Sequence, residues 1–237
     1  MVKVKASTTE RTRVRRGAPA RPRPVRAPAR PSRTAERRQA LKTALTDAAE
    51  RAIAADGLAG LNARTLAADV GCALGAIYNV FPDLDAIVYE VNARTLARFE
   101  AFVAKQQQAA GAHAGGDAAG ELIELAVAYL DFAAANRPRW QALFAHRAAA
   151  FGAPLPQWYL ADQDRMFGLV EGPLAALRPD LGESERRLFA RTMFSAVHGI
   201  VSLGLHEKLM SLPVAVIADQ VRSFVAALAN GLAAGRG

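Results

Sequence analysis

The sequence lacks several features that mark particular classes of protein. Its 237 residues include one cysteine, Cys72, which excludes an internal disulfide framework and a multi-cysteine metal site. No apolar run reaches the roughly 18 residues of a membrane span, and no apolar stretch follows the positive N-terminus as in a secretory signal. Alternating runs rich in Val, Ile, Thr and Tyr, which would indicate β-strands, are also missing. We therefore expect an all-α, cytoplasmic protein with no cofactor and no membrane contact.

Positive charge is concentrated at one end of the chain. Residues 1–35 hold 11 of the 30 Lys and Arg residues and one acidic residue, Glu10, so their net charge is +10. The whole chain carries +8, which leaves −2 for the remaining residues. The same segment has five prolines and no aromatic residue, a composition typical of disorder. We interpret it as a basic arm that binds phosphates or enters a minor groove. A solubilising extension, or a start codon assigned too far upstream, is the alternative.

Apolar residues at steps of three and four predict a chain of helices. The first begins at about Thr34 and ends at Asp56-Gly57, because glycine suits the left-handed residue that ends a helix. Two short helices follow at 63–70, with Asn62 as N-cap, and at 74–81. A long helix then begins after Asp83 and fades into a loop at 106–116. Further helical segments are predicted at about 118–136, 138–148, 156–178, 183–210 and 213–232. Pro173 is expected to kink or break one of them.

Two short helices joined by a glycine turn and packed on a longer helix form a helix-turn-helix DNA-binding unit. Residues 61–81 (LNARTLAADVGCALGAIYNVF) resemble the helix-turn-helix of the TetR family. The resemblance rests on a Thr-Leu-Ala at 65–67, the turn residue Gly71, the pair Ile77-Tyr78 and the final Phe81. Residues 49–58 (AERAIAADGL) resemble the family's first helix and the glycine after it. The match covers about residues 36–96.

The resemblance implies the domain organisation and the function. It implies a three-helix DNA-binding domain at 36–82, with its motif at 62–81, followed by a helical ligand-binding and dimerisation domain at 83–237. Such a protein binds a palindromic double-stranded DNA operator as a homodimer. In the family's usual mode it is a repressor that a small-molecule effector releases. The C-terminal part more loosely resembles a TetR subfamily with a Trp and a His-Gly pair, here Trp140 and His198-Gly199.

Carried over by position, the resemblance implies a set of DNA-binding residues. Asn62, Arg64 and Thr65 approach phosphates, Tyr78 donates to a phosphate, and Asn79 contacts a phosphate or a base edge. Apolar side chains at 74 and 76 suit thymine methyl groups. The full set is Asn62, Arg64, Thr65, Ala73, Leu74, Gly75, Ala76, Tyr78 and Asn79. A half-buried core position is the alternative for Tyr78.

This DNA-binding region departs from the family in its chemistry. Alanines at 73 and 76 replace a Ser and a Thr that are common in the recognition helix. Residues 36–85 also hold five basic and seven acidic side chains, a net charge of −2. Attraction to phosphates is a large share of DNA affinity. We therefore hypothesise that the basic arm supplies much of it.

Aromatic and Met residues from several C-terminal helices are candidates for a ligand cavity. Their apolar character favours a hydrophobic or aromatic ligand, with Tyr129 and His198 to orient it. An ordinary core is the alternative for such a pattern. The candidate ligand-binding residues are Tyr129, Phe132, Trp140, Phe144, Met166, Phe167, Met193, Phe194 and His198.

The helices predicted at 183–210 and 213–232 are candidates for the homodimer interface. The first contains small residues that allow another helix to approach closely, and two such helices per subunit suit a symmetric four-helix contact. These small residues are Ser195, Ala196, Gly199, Ser202 and Gly204. Packing within one chain would give the same pattern.

No catalytic motif accompanies these patterns. The pair His206-Glu207 lacks the second His of a zinc-binding His-Glu-x-x-His, and no nucleophile elbow or phosphate-binding loop occurs. We therefore expect no enzyme and no metal site. Two alternatives stay open: a nonspecific nucleoid-type DNA-binding protein driven by the arm, and a helical enzyme with a C-terminal cavity.

Overall fold

The computed structural model describes residues 32–109, 117–145, 154–206 and 212–234. Within these ranges the regular structure is helical, as predicted for an all-α protein. A 3-10 turn, Gly57–Gly60, follows the first helix. The α-helices are α1 (Arg33–Asp56), α2 (Ala63–Val70), α3 (Leu74–Tyr78), α4 (Leu84–Ala109), α5 (Ala118–Ala135), α6 (Arg137–Ala145), α7 (Gln157–Leu177), α8 (Glu183–Gly204) and α9 (Val214–Ala234). None of these helices combines the length and apolar character that a bilayer crossing requires.

The first helix begins slightly earlier than its apolar pattern suggests. Ser32 is its N-cap, and the Ser32 hydroxyl accepts a hydrogen bond of 3.2 Å from the backbone N–H of Ala35. Residues 33–35, which the sequence analysis assigned to the basic arm, are therefore the first turn of α1. The rest of the proposed arm, residues 1–31, lies outside the described residues.

Three other predicted boundaries also differ from the structure, and a fourth falls outside the described residues. The recognition helix α3 ends at Tyr78 instead of Phe81, although the Phe81 N–H still bonds to the Ile77 carbonyl at 2.8 Å. The predicted loop at 106–116 is helical as far as Ala109, and residues 110–116 lie outside the described residues. The helix predicted at 183–210 ends at Gly204, and residues 207–211 lie outside the described residues. The segment predicted at 138–148 is helical to Ala145, and the residues directly beyond it are likewise outside.

Pro173 does not break its helix. Helix α7 is continuous from Gln157 to Leu177 with the proline inside it. Proline removes one backbone hydrogen bond there. The residues that follow, Leu174 and Leu177, are buried in the C-terminal core. Their burial holds the last turn of the helix against the core, so tertiary packing prevails over the local preference.

Two apolar cores organise the molecule. The N-terminal core joins α1, α2 and α3 to the start of α4, through fully or nearly fully buried side chains at Leu45, Ile53, Leu66, Ile77, Phe81, Ile87 and Val91. Ala142 of α6 also belongs to this core. The C-terminal core is built from α5, α7, α8 and α9 with the second half of α4, and α5 packs most extensively on α9.

A buried carboxylate connects the first helix to two later ones. The side chain of Glu50 in α1 is 9% exposed and forms ion pairs with three arginines. Arg94 of α4 lies 3.1 Å from it, Arg98 of α4 contacts its other oxygen, and Arg139 of α6 lies 3.6 Å from that same oxygen. Arg94 also pairs with Asp47 on α1. This cluster fixes the helix-turn-helix region relative to α4 and α6.

Candidate nucleic-acid interface and ligand cavity

Helix α2 is held at both ends by the local signals that its sequence carries. Asn62 caps it, because its side-chain carbonyl oxygen accepts hydrogen bonds from the N–H groups of Arg64 and Thr65 at 2.9 and 3.4 Å. Gly71 ends it with φ +73°, in the left-handed region that favours glycine. This turn directs the chain into α3, which the fully buried Ile77 anchors to the core.

The residues predicted to bind DNA lie together on one exposed surface. All nine are exposed except Ala76, which is half-buried. Leu74 is 41% exposed and Tyr78 is 51% exposed, which does not fit a core position for Tyr78. Leu74 and Tyr78 of α3 meet Asn62 and Arg64 of α2 around a depression of about 300 Å³. We call these nine residues the helix-turn-helix surface; the set is Asn62, Arg64, Thr65, Ala73, Leu74, Gly75, Ala76, Tyr78 and Asn79.

Some of the few cations in this region are already paired. Lys42 forms an ion pair with Glu90, and Arg51 pairs with Asp69 at 2.6 Å. Arg64, by contrast, forms no ion pair within the part of the chain that the structure describes, and it is exposed beside the α2 N-terminus. Helix N-termini attract anions. Arg64 is therefore the cation of this surface best placed for a phosphate.

An apolar cavity of about 50 Å³ lies between α4, α5, α7, α8 and α9. Its buried side is formed by residues of the C-terminal core, and its outer side by half-buried residues such as Met166, Phe167 and Phe194. On the outer face of α7, the guanidinium of Arg191 lies 4.8 Å from the centre of the Phe167 ring. The lining residues are Phe99, Leu122, Leu125, Ala126, Tyr129, Met166, Phe167, Val170, Met193, Phe194, Val197 and Val225.

Five of the nine residues predicted to bind a ligand line this cavity, and four do not. Tyr129, Met166, Phe167, Met193 and Phe194 line it. Phe132 instead packs on Phe99 and Phe102. Trp140, Phe144 and His198 form an aromatic cluster behind the cavity wall that contacts the lining residues Tyr129 and Phe194. The aliphatic lining residues on α5, α7, α8 and α9 were not predicted, nor was Phe99 of α4. Those leucines and valines look like any core residue, and only the assembled fold shows that they face a void.

Tyr129 carries the one polar side-chain group among the described residues of the cavity wall, and its hydroxyl already has partners. The Trp140 indole N–H donates to it at 2.9 Å, and His198 Nδ1 lies 2.8 Å from it. Because the indole can only donate, the Tyr129 hydroxyl accepts from Trp140. Its hydrogen bond with His198 Nδ1 runs in the direction that the tautomer of the imidazole ring sets.

The pKa values of this group agree with a neutral network. Burial lowers the pKa of His198 below its usual range, so the ring is neutral at pH 7. Burial also raises the pKa of Tyr129 far above its ordinary value, which keeps the phenol protonated. Phe144 covers the His198 ring, with 4.1 Å between the ring centres. The described part of the cavity wall thus offers no formal charge to a ligand.

Comparisons with known proteins agree with this architecture. Residues 122–229 match the family model described as "Tetracyclin repressor-like, C-terminal domain". The chain has the TetR-family fold. The resemblance to this family that the sequence predicted is therefore confirmed, as is the all-α fold with a helix-turn-helix region and a helical C-terminal part. A comparison with curated proteins gave no match.

Solved structures share this TetR-like fold over most of their length. A protein of unknown function from Rhodococcus sp. RHA1 is 23% identical, with a TM-score of 0.62 over 81% of this chain and 95% of that one. A transcriptional regulator from the same organism is 20% identical, with a TM-score of 0.56 over 80% and 96%. The TetR family transcriptional regulator PfmR from Thermus thermophilus is 15% identical, with a TM-score of 0.50 over 81% and 98%.

Proposed function

We propose that this protein is a DNA-binding transcriptional regulator that binds a palindromic operator as a homodimer and acts in the cytoplasm on the nucleoid. The observation that carries the proposal is the helix-turn-helix surface, in which Leu74, Tyr78 and Asn79 project beside the N-terminus of α2 on a TetR-like fold. As a repressor it would leave the operator when a small apolar effector binds. The effector enters the cavity beside Tyr129.

The homodimer is proposed to form through the outer faces of α8 and α9. On α8, Leu188 is 68% exposed and lies on one stripe with Thr192, Ser195, Gly199 and Leu203. On α9, Val216 and Phe224 are exposed on one side of the helix, and Val214 is exposed at its first residue. Exposed large apolar residues that share one face are typical of an interface. Gly204 does not belong to it, because a Cβ there would lie 2.9 Å from Ile217 of α9 in the same chain.

A footprint on DNA fragments upstream of genes in the source genome tests the regulator. The expected result is one protected site of two half-sites about one helical turn apart, because two recognition helices in a dimer lie roughly 34–36 Å apart. Tyr78→Ala should remove the protection, since it deletes an exposed phosphate donor without touching the core. Uniform coating of every fragment would instead support a nucleoid-type protein, and turnover of a small molecule would support an enzyme.

The basic arm is proposed to supply much of the DNA affinity. Residues 1–31 contain ten of the 30 Lys and Arg residues, whereas residues 36–85 carry a net charge of −2. The logarithm of the binding constant falls with the logarithm of salt concentration by about 0.9 per phosphate neutralised. Deletion of residues 1–31, which spares the Ser32 cap, should therefore flatten that slope by several units.

The control for the arm keeps its length and changes only its charge. A variant with the ten Lys and Arg of residues 1–31 replaced by Gln should behave like the deletion. The protected site should stay the same in both variants, because the helix-turn-helix surface sets the position. If fluorescence anisotropy gives an unchanged salt slope for both variants, the arm has no role in DNA binding.

The effector is proposed to be neutral as well as apolar. Among the residues that the structure describes, no charged side chain lines the cavity, and the Tyr129 hydroxyl is already engaged by Trp140 and His198. Burial of a charged group without a partner costs on the order of several kcal/mol, because the ion loses its hydration. The matched compounds 2-naphthol and 2-naphthoate differ mainly in that charge, so they separate the two classes of ligand.

Because a naphthalene ring is larger than the cavity of about 50 Å³, its binding requires the half-buried Met166, Phe167 and Phe194 to move outward. We expect 2-naphthol to raise the melting temperature of the protein and 2-naphthoate to leave it unchanged. Ala126→Leu fills the cavity from α5 and should abolish the shift with 2-naphthol. Ala161→Leu, on an exposed position of α7, is the matched control and should retain the shift. Equal shifts in wild type and Ala126→Leu, or a larger shift with 2-naphthoate, would place the apolar ligand elsewhere.

A further inference from the structure

The recognition helix α3 has few side chains that can form hydrogen bonds. From Ala73 to Ile77 it carries only alanine, leucine, glycine and isoleucine. The first side chains able to donate or accept a hydrogen bond are those of Tyr78 and Asn79, near its C-terminal end. In helix-turn-helix proteins it is the N-terminal residues of the recognition helix that contact base edges. Here those residues can make only apolar contacts.

We propose that Leu74 recognises the C5-methyl group of thymine in the major groove, and that this methyl contact sets much of the operator preference. The inference rests on the proposed DNA-binding function and identifies the base that the helix-turn-helix surface recognises. The C5-methyl group is the apolar feature of the major groove, where the other distinguishing groups are donors and acceptors. An isobutyl side chain is therefore matched to thymine and to no other unmodified base.

The position of Leu74 fits this contact. It is the first residue of α3 and keeps 41% of its surface exposed, whereas Ile77 one turn later is completely buried and fixes the helix. Leu74 borders the same depression as Asn62, Arg64 and Tyr78. A DNA backbone held by those polar side chains brings the adjoining groove to Leu74. The isobutyl group then loses contact with water when the complex forms.

The neighbouring glycine allows this approach. A Cβ built on Gly75 meets no atom within 4 Å among the described residues outside its own helix backbone, so the space beside the helix is open there. Ala73 and Ala76 are short, which leaves Leu74 as the side chain that extends furthest from this part of α3. The base beneath the first turn therefore meets a leucine, with no larger or polar side chain to intervene.

One consequence concerns modified DNA. 5-Methylcytosine carries its methyl group at the same ring position as thymine. A cytosine at the contacted position should therefore gain affinity on methylation, whereas a thymine should lose affinity when uracil replaces it. A readout through hydrogen bonds would be indifferent to both changes, because neither alters a donor or an acceptor on the base edge.

The experiment selects an operator from a random duplex library with the full-length protein and then edits single bases. Binding of each edited duplex is measured by fluorescence anisotropy at one salt concentration. Replacing the contacted thymine of one half-site by uracil is expected to weaken binding about fourfold, the factor that corresponds to burial of one methyl-sized group. Replacing both half-site thymines should weaken binding about 15-fold if the two contacts are independent.

A thermodynamic cycle assigns the contact to one residue. Leu74→Ala should bind the thymine operator less tightly and should no longer distinguish thymine from uracil. Leu84→Ala, which removes a leucine from the same depression but on α4, is the matched control and should keep the discrimination. Leu74 is exposed, so its truncation leaves the core intact, and an unchanged melting temperature for the variant verifies this.

Each outcome decides between distinct conclusions. Enrichment of no sequence would overturn the proposed function itself, together with this inference. An enriched operator that tolerates uracil at every thymine would overturn the inference alone. So would a Leu74→Ala variant that still loses about fourfold affinity with uracil. A loss with uracil that disappears in Leu74→Ala and persists in Leu84→Ala supports it.

Discussion

Replacement of Glu50 by glutamine is expected to lower the free energy of unfolding by about 2 kcal/mol. The change keeps the shape of the side chain and removes its charge, which leaves three guanidinium groups around a neutral amide. Loss of one partner of a fully buried ion pair costs about 3–5 kcal/mol. The expected value is smaller because Arg94, Arg98 and Arg139 keep between 29% and 47% of their side-chain surface exposed.

Urea denaturation of wild type and Glu50→Gln measures this difference. Asp69→Asn is the control, because it breaks an ion pair with Arg51 in the same region where both side chains are at least half exposed. Pairs of that kind contribute about 0–1 kcal/mol. If the two variants lose the same stability, the Glu50 cluster behaves as a surface ion pair and does not hold the helices together.

Replacement of Gly199 by glutamate is expected to dissociate the proposed homodimer while the monomer stays folded. A Cβ at Gly199 meets no atom of its own chain within 4 Å. Glutamate is also a better helix former than glycine, so the isolated chain should not lose stability. In a symmetric dimer the substitution occurs twice and places a bulky anion in the proposed contact between the outer faces of α8. Loss of an interface centre costs about 2 kcal/mol or more, roughly 30-fold in dimer affinity.

Analytical ultracentrifugation gives the dimer dissociation constant, and anisotropy gives the affinity for the palindromic operator, which should fall with it. Gly204→Ala is the contrasting variant on the same helix. Its new methyl group would lie 2.9 Å from the Ile217 side chain, so it should reduce stability by about 1–3 kcal/mol and leave the outer face of α8 unchanged. A Gly199→Glu variant that remains a dimer would place the interface on another surface.

The helix-turn-helix was predictable from sequence because its determinants are local. Asn62 as N-cap and Gly71 as the left-handed C-terminal residue act within a few positions of themselves, and both occur as predicted. The buried anchors Leu66 and Ile77 follow from helical spacing. The start of α1 was harder, because Ser32 caps it without the acidic partner of a capping box.

The ligand cavity and the Glu50 cluster depend on contacts between distant parts of the chain. Five of the twelve described lining residues were predicted from their aromatic or Met character, but no feature of Leu122 or Val225 distinguishes them from core residues until the helices are assembled. Likewise, Glu50 and Arg139 lie 89 positions apart, and a glutamate within a helix looks like any solvated residue. The sequence contains Tyr129, Trp140 and His198, but it does not show that the Tyr129 hydroxyl forms hydrogen bonds with the other two side chains.

The place of Ala142 in the N-terminal core limits how this protein can be dissected. The core that supports the helix-turn-helix continues past residue 82 into Ile87 and Val91 of α4 and includes Ala142 of α6. A fragment that stops at the predicted domain boundary would expose the apolar surface that these residues cover and would lose the arginines that neutralise Glu50. The helix-turn-helix and the residues that support it are therefore not contiguous in sequence. A chimera that joins this helix-turn-helix to another regulatory domain must also carry the faces of α4 and α6 that contact it.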